Sequence, residues 1–434
     1  FSLEIMFYSR FRTVHLRSTQ EKNMTTNNSQ LPLPLEGLRV LDATHIVAGP
    51  YCAMILADMG AEVIKVESLD GDLGRQFNRV AGASSVMPGG INSYFECLNR
   101  QKKSIAIDLK NPKGLEVMCK LAGKSDVFVE NFRNGVPERL GLGYADLIKH
   151  NPMIVYGSAS GYGPLGPDSS KPAFALTGES RSGSLFWAGP DDGIPYSVGG
   201  MADQMAGIML SYGVLGGLIA RERMGIGQKV DASHLGSVMW LGGMRYGMAL
   251  LTNNAPARID RNMARNPLWN YYECEDGKWI AFSMNQSDRY WPFICKAIGR
   301  TDLLDDERFG SMDNRTEYRK ELVEVLDSIF ITRAREDWAD LFTGNEDIIW
   351  ERVQDVFDLP NDIQVIANNY IVDFDHPIAG PTKWLQTPLG YSKTPLSTRK
   401  MAPVHGENTE EILIETLGYS WDDIATLQSE GVIL

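Results

Sequence analysis

The sequence predicts an α/β fold, a doubly wound and mostly parallel sheet accompanied by a smaller α+β domain. Three observations carry that expectation. Short apolar runs alternate regularly with helix-patterned segments from Gly37 onward. Proline sits at the start and glycine at the end of the helical segments. A chain of 434 residues, 43% of them hydrophobic, has the apolar mass for a sizeable core and the length of about two domains.

Taken in order, residues 38–43 read as a strand, 50–59 as a helix with Pro50 in its first turn and Gly60 at its end, and 62–67 as a second strand. That is one βαβ unit, and it makes the large domain Rossmann-like. A strand follows at 104–109, a helix at 112–124, a strand at 126–131, a helix around 144–149 and a strand at 154–158. A small domain at 261–350 takes a strand at 278–283 and helices around 291–298 and 316–330. The division expected is an extension and lead-in at 1–35, a first part of the large domain at 36–240, linkers at 241–260 and 351–374 flanking the small domain, and a return to the large domain at 375–434.

Charge and composition exclude several roles. Fifty-five acidic against 42 basic residues give a net charge of −13, so the average surface repels nucleic acid and anionic lipid. No window reaches the roughly 18 uninterrupted apolar residues of a membrane span; the most apolar stretch, 205–220, is broken by Ser211, Tyr212 and glycines. Five scattered cysteines (Cys52, Cys97, Cys119, Cys274 and Cys295) form no CxxC pair and read as buried free thiols in a reducing, cytoplasmic compartment, with no metal site. Residues 1–23 carry Arg10, Arg12 and Arg17 with few acids, the pattern of a mitochondrial transit peptide; Met24 offers a different start, preceded by read-through sequence.

In doubly wound sheets ligands bind beyond the carboxyl ends of the strands. That rule selects 44–49, 68–72, 108–110, 131–139 and the stretch from Ala159, where Lys110, Arg133 and Arg139 stand out in an acidic chain and suit a phosphorylated ligand. Gly161-Tyr-Gly163-Pro-Leu-Gly166 has GxGxxG spacing, but Pro164 and Pro167 fall where a phosphate-binding turn would enter its helix, so it reads as a turn-rich loop. Further on, Gly199 and Gly200 lead into a long apolar helix with Asp203 near its first turn. Asp203 is either an N-cap or a nucleophilic carboxylate kept ionised by the positive helix end, in which case Gly199 and Gly200 let backbone N–H groups approach an oxyanion.

From about Leu35 to the C-terminus the sequence resembles the family III CoA-transferases, the group of formyl-CoA transferase and the carnitine enzymes, which also includes α-methylacyl-CoA racemase. The resemblance rests on Gly37-Leu-Arg-Val-Leu-Asp-Ala-Thr-His-Ile-Val-Ala-Gly-Pro, Gly60-Ala-Glu-Val-Ile-Lys-Val-Glu, Asn99-Arg-Gln-Lys-Lys-Ser-Ile-Ala-Ile-Asp-Leu-Lys and Asp126-Val-Phe-Val-Glu-Asn-Phe. It continues through Arg139-Leu-Gly, Gly161-Tyr-Gly-Pro-Leu-Gly-Pro, Ala202-Asp203, Gly225-Ile-Gly-Gln-Lys-Val-Asp and Asp276-Gly-Lys-Trp. It implies an interlocked homodimer that takes an acyl-CoA and a carboxylic acid acceptor, with Asp203 as the catalytic aspartate. It puts His45, Ile46 and Ala48 beside the CoA pantetheine, Ile107 and Lys110 at the nucleotide, and Asn131 and Arg139 near phosphates and ribose.

Four departures qualify it. Val47 replaces a glutamine of the formyl-CoA enzymes, Ser68 replaces a phosphate-contacting arginine, and 265–272 lacks the glycine-rich lid. Ala175 stands where the family usually has a carboxylate, which serves proton transfer in the racemase. Racemisation needs an acid and a base on opposite faces of the carbon, so acyl transfer is the expected reaction, with racemisation or a silent CoA-binding role as alternatives. Glu179 is expected to be a solvated helix residue and His234 a residue without a chemical role. Tyr162, Phe174, Phe186, Trp187 and Trp269 suggest an acid larger than formate.

Overall fold

The computed structural model describes residues 31–189, 193–258 and 260–434; the extension read at 1–35 falls outside them as far as residue 30. Six strands, β1 (Arg39–Ala43), β2 (Glu62–Glu67), β3 (Lys103–Ala106), β4 (Val127–Glu130), β5 (Val155–Ser160) and β6 (Gln228–Ser233), form one sheet. Their order is β3-β2-β1-β4-β5-β6, and every neighbouring pair is parallel. The order reverses between β1 and β4, so the loops leaving those two strands diverge and open a crevice at the carboxyl edge.

Period-two alternation explains how both faces are covered. Leu41, Ile64, Ile105, Phe128 and Tyr156 point to one side, packing with Val117 and Leu121 of α3 (Pro112–Gly123) and with Ile412, Leu413, Ile424 and Leu427 near the C-terminus. Their neighbours Val40, Val63, Val127, Val129 and Val155 point to the other, against Cys52 and Leu56 of α1 (Ala48–Asp58) and Leu210, Val214 and Leu218 of a long helix, Met201–Met224. Strands buried on both faces read as continuous apolar runs, which is why they were visible in the sequence. Each fully buried Leu, Val or Phe contributes about 1.5–3 kcal/mol to holding these layers together.

A second core lies in 268–350. A three-stranded antiparallel sheet (Tyr271–Glu273, Trp279–Phe282, Trp350–Val353) packs on helices Ser287–Ala297, Arg319–Phe330 and Arg335–Phe342. Its centre is aromatic: Tyr272 stacks on Phe330 at 5.0 Å, and Trp338 meets Phe330 edge-on at 5.1 Å.

Several expectations need correction. The sixth strand, β6, was not anticipated, because its alternation of half-buried and exposed residues is a weak apolar signal. The strand read at 104–109 ends at Ala106; beyond it Ile107 bridges Ile433, and the Asp108 N–H donates to Val432 O at 2.9 Å, so the C-terminus covers the strand end. The segment 241–260 read as a linker contains a helix, Gly243–Thr252. Among the cysteines, Cys97 is exposed and Cys119 half-buried; all five are free.

Candidate active site

The loop leaving β1 is built over a buried network of charges. Lys65, on β2, donates to Thr44 O at 2.9 Å and pairs with Asp72 Oδ2 at 2.8 Å. Lys102 donates to Asp42 Oδ2, Pro50 O and Asn99 Oδ1 at 2.8, 2.9 and 2.8 Å, and Asp42 Oδ1 accepts both the Thr44 N–H and the Thr44 hydroxyl. Burial pushes the Lys102 ammonium down to about 8 against the opposing pull of Asp42. Burial works against ionised Asp42 too, yet Lys102 and Lys65 together hold its carboxyl below the usual carboxylate range.

That network fixes a strained backbone. Ile46 has φ +68°, an expensive conformation for a β-branched residue, and its N–H donates to Asp72 Oδ1 at 3.2 Å. One residue earlier, His45 is clamped to the loop after β4: its N–H donates to Asn131 Oδ1 at 3.0 Å, and Asn131 Nδ2 donates to His45 O at 2.8 Å. Burial pushes the half-buried His45 imidazole below its usual range. The two loops at the sheet's reversal point are thus tied together by one side-chain amide.

Asp203 approaches this loop on the long helix. Between them run α2 (Ser93–Asn99) and, later in the chain, α4 (Ala175–Ser182); the long helix Met201–Met224 is α5, and the helix after β6, His234–Leu241, is α6. Gly207, one turn beyond Asp203, touches the first turn of α1 so closely that a Cβ would lie 2.7 Å from Ala48 O. Tyr94 of α2, half-buried, senses Asp203 and Asp72 together: burial and then these two carboxylates push its phenol up to about 12. Asp203, Tyr94, Asp72, His45, Ile46 and Ala48 therefore converge.

The N-cap reading of Asp203 does not survive. Gly200, at φ +66°, is the cap residue, and Asp203 is the third residue of the helix. The first-turn N–H of Ala202 instead donates to Glu179 Oε1 at 3.4 Å, while Glu179 Oε2 accepts the Ser197 hydroxyl. Glu179 was expected to be solvated and is 0% exposed; from α4 it supplies an acceptor that the start of α5 lacks. Gly199, at φ +73°, donates its N–H to Ser197 Oγ at 3.1 Å.

His234 also needs correcting. Its Nε2 lies 3.0 Å from Asp203 Oδ1, with the two side chains 10% and 18% exposed. It opens α6, whose N-cap Ser233 accepts the Gly236 N–H, and it presses on α4 at Gly178, where a Cβ would sit 2.5 Å from His234 Cβ. Ala175 lies three residues before Gly178 on the same helix face, so it borders the same pair.

The remaining predicted residues are more dispersed. Ile107 is 0% exposed and its N–H donates to Glu67 O at 2.8 Å, so its side chain belongs to the core rather than to a nucleotide surface. Lys110 follows the edge strand β3 and Arg139 ends a short helix after β4; both are exposed, without an ion pair among the described residues. At the arginine-to-serine departure, Ser68 O faces His405 Nε2 at 2.9 Å, and the nearby Arg75 is committed to Glu67 at 2.8 Å. The GxGxxG stretch enters no helix at Pro164 or Pro167. Among the described residues no group of three His, Cys, Asp or Glu side chains could hold a metal, and no helix is long and apolar enough to cross a membrane.

Residues 35–409 match the family model described as CoA-transferase family III. The chain belongs to that family. Mouse succinyl-CoA:glutarate CoA-transferase is 33% identical over 92% of this chain and 90% of its own length. The (R)-2-hydroxy-4-methylpentanoate CoA-transferase of Clostridioides difficile is 28% identical over 92% and 99%. Among solved structures, a CAIB/BAIF family protein from Brucella suis superposes with a TM-score of 0.79 at 26% identity, covering 89% of this chain and 100% of that one. The chain is an enzyme of the CoA-transferase type, and family III CoA-transferases use CoA thioesters as substrates.

Proposed function

We propose that this enzyme moves CoA from an acyl-CoA thioester to a carboxylic acid through covalent intermediates on Asp203. The observation that carries this reading is that one Asp203 oxygen is held by His234 while Oδ2 has no protein partner among the described residues, at the positive end of a 24-residue helix. Asp203 Oδ2 attacks the thioester carbonyl, the C–S bond breaks, and CoA leaves as thiolate from an acyl-aspartyl anhydride. The thiolate then attacks Asp203 Cγ, expels the acyl group as a carboxylate and leaves an aspartyl-CoA thioester. An acceptor carboxylate reverses both steps. Gly199 and Gly200 donate to the oxyanion on the substrate side once Ser197 yields the Gly199 N–H.

His45, Ile46 and Ala48 line the pantetheine arm, Asn131 acts through its grip on His45, and the exposed cations Lys110 and Arg139 meet the phosphates. Ile107 contributes only backbone. A Rossmann-like large domain fits the strand order, and the small domain, 261–350, closes over water-sensitive intermediates. An interlocked homodimer accounts for the apolar residues left outside, Trp240, Met244, Leu250 and Leu251 among them, on α6 and the helix that follows it. The five free thiols fit the cytoplasm.

Relatives are described as using succinyl-CoA, glutarate, 2-hydroxy acids and phenyllactate, all larger than formate. Phe174, Phe186 and Trp269, each at least half exposed, favour an acid of that size over formate. Racemisation is disfavoured: His234 and Asp203 touch, so they lie on one side of any substrate carbon and do not form an opposed acid and base. The test is to incubate the enzyme with succinyl-, 2-hydroxyacyl- and aryl-acyl-CoA and trap with hydroxylamine. A hydroxamate on Asp203 is expected; deuterium entry at the α-carbon with no hydroxamate would establish racemisation, and neither would leave binding alone.

A further inference from the structure

Resting on the nucleophilic reading of Asp203, we infer that His234 is a second catalytic residue, the donor that receives the oxyanion each time Asp203's own carboxyl carbon is attacked. Asp203 Oδ1 as a carboxylate oxygen can only accept, so the hydrogen between it and His234, 3.0 Å away, is on Nε2. The donor is held in place before any reaction. His234 is 8% exposed, its Cβ and backbone pack against Gly178, its helix is capped by Ser233, and the next residue, Leu235, donates its N–H to Gly161 O at 3.1 Å. No reorganisation is needed for it to point at Oδ1.

The two halves of the reaction put charge in different places. When Oδ2 attacks the thioester, the negative charge develops on the substrate's carbonyl oxygen, and Oδ1 becomes the carbonyl oxygen of the aspartyl half of the anhydride. When the CoA thiolate attacks Cγ, a C–S bond forms and the Cγ–Oδ1 π electrons move onto Oδ1. Collapse restores Cγ=Oδ1 and breaks Cγ–Oδ2, and the acyl carboxylate departs with Oδ2. In the return half, an acceptor carboxylate attacks Cγ of the thioester, the charge again develops on Oδ1, and the thiolate leaves. His234 therefore faces a weakly accepting carbonyl before each attack on Cγ and an alkoxide during it. That difference is the condition for accelerating a step rather than merely binding its ground state.

The prediction is step-selective. Losing one oxyanion donor slows the assisted step by about 10²–10³-fold. His234→Leu keeps apolar volume and removes the donor, whereas His234→Gln puts an amide N–H near the Nε2 position. Each variant is mixed with succinyl-CoA without acceptor, and loading of CoA onto Asp203 is timed by intact-protein mass. Anhydride formation is followed separately as enzyme-dependent acyl hydroxamate release in hydroxylamine, and thermal melts confirm folding. The expected result for His234→Leu is CoA loading slowed about 10²–10³-fold with acyl hydroxamate release and KM for succinyl-CoA within a few-fold of wild type. His234→Gln should recover loading to within about tenfold, and it carries the test if the Leu variant fails to fold. Loading at the wild-type rate in His234→Leu, an equal fall in both steps, or a Gln variant as slow as Leu would each overturn the inference. Absence of any adduct on wild-type Asp203 with succinyl-, 2-hydroxyacyl- and aryl-acyl-CoA alike shows instead that the nucleophile reading has failed, and takes this inference with it.

Discussion

Two carboxylate centres, one beneath the loop after β1 and one on the helix packed against that loop, are built on opposite plans. The Asp42, Lys65, Asp72 and Lys102 network is closed: its side chains are at most 2% exposed, each carboxylate meets a lysine and backbone or hydroxyl donors, and the four formal charges cancel. The Asp203–His234 pair is open, with one oxygen held and the other without a protein partner among the described residues. Buried charges that are fully paired hold a shape, because desolvation is offset only when every partner is in place. A carboxylate left half-partnered at a helix start keeps a lone pair for chemistry. Conformational strain at Ile46 belongs to the first plan, and the proposed reaction to the second.

The sharpest way to break this comparison is Asp203→Asn, which should lower turnover by at least about 10³-fold while the thermal midpoint moves little. Glu179, not Asp203, serves the helix start, so the fold has no need of the carboxylate. Near-wild-type CoA transfer, with deamidation excluded by mass, would remove Asp203 from its role.

The counterpart in the closed network is Lys102→Met. It strands Asp42 in the interior, and the expected loss is about 3–5 kcal/mol of unfolding free energy by urea titration. A loss below about 1 kcal/mol would mean that Asp42 is adequately held by Lys65 and Thr44 alone.

Glu130 tests an intermediate case. It is 2% exposed at the end of β4 with no ion-pair partner among the described residues, and burial raises its carboxyl from 4.5 to about 7. The folded state therefore keeps a proton that the unfolded chain loses between these values. The group's stabilising contribution is complete below about pH 4.5 and is lost as pH rises through about 7. Glu130→Gln keeps an acceptor for the Phe132 N–H and should be more stable than wild type at pH 8 by about 1–3 kcal/mol, a gap that closes towards pH 5. A pH-independent difference would refute the burial argument.

The smallest effects belong to the exposed cations. Arg139→Ala and Lys110→Ala should each weaken CoA by about tenfold, and the pantetheine fragment hardly at all, because the phosphate contacts proposed for them are charge-assisted but solvent-facing. Calorimetric titration giving equal losses for both ligands would assign these residues to structure.

The difference in legibility between the two centres has one cause. The β1-α1-β2 unit, the alternation of the central strands and the helix bearing Asp203 follow from local pattern, since sterics and two-sided burial act over a few residues. That was enough to place Thr44 to Ala48, Asn131 and Asp203 in loops or helix starts at the carboxyl edge. What escaped was pairing at a distance. Lys102 reaches Asp42 across 60 residues, and Glu179 reaches Ala202 from another helix. His234 follows β6, whose weak apolar signal hides it; with that strand in place, the rule that selects the other loops puts the residue after Ser233 at the same edge. Sequence by itself determined the layers, the family and the position of Asp203 at a helix start. Only the tertiary structure decided which oxygen of Asp203 is held and which is free, because strand order and helix crossing, not spacing along the chain, set which side chains meet.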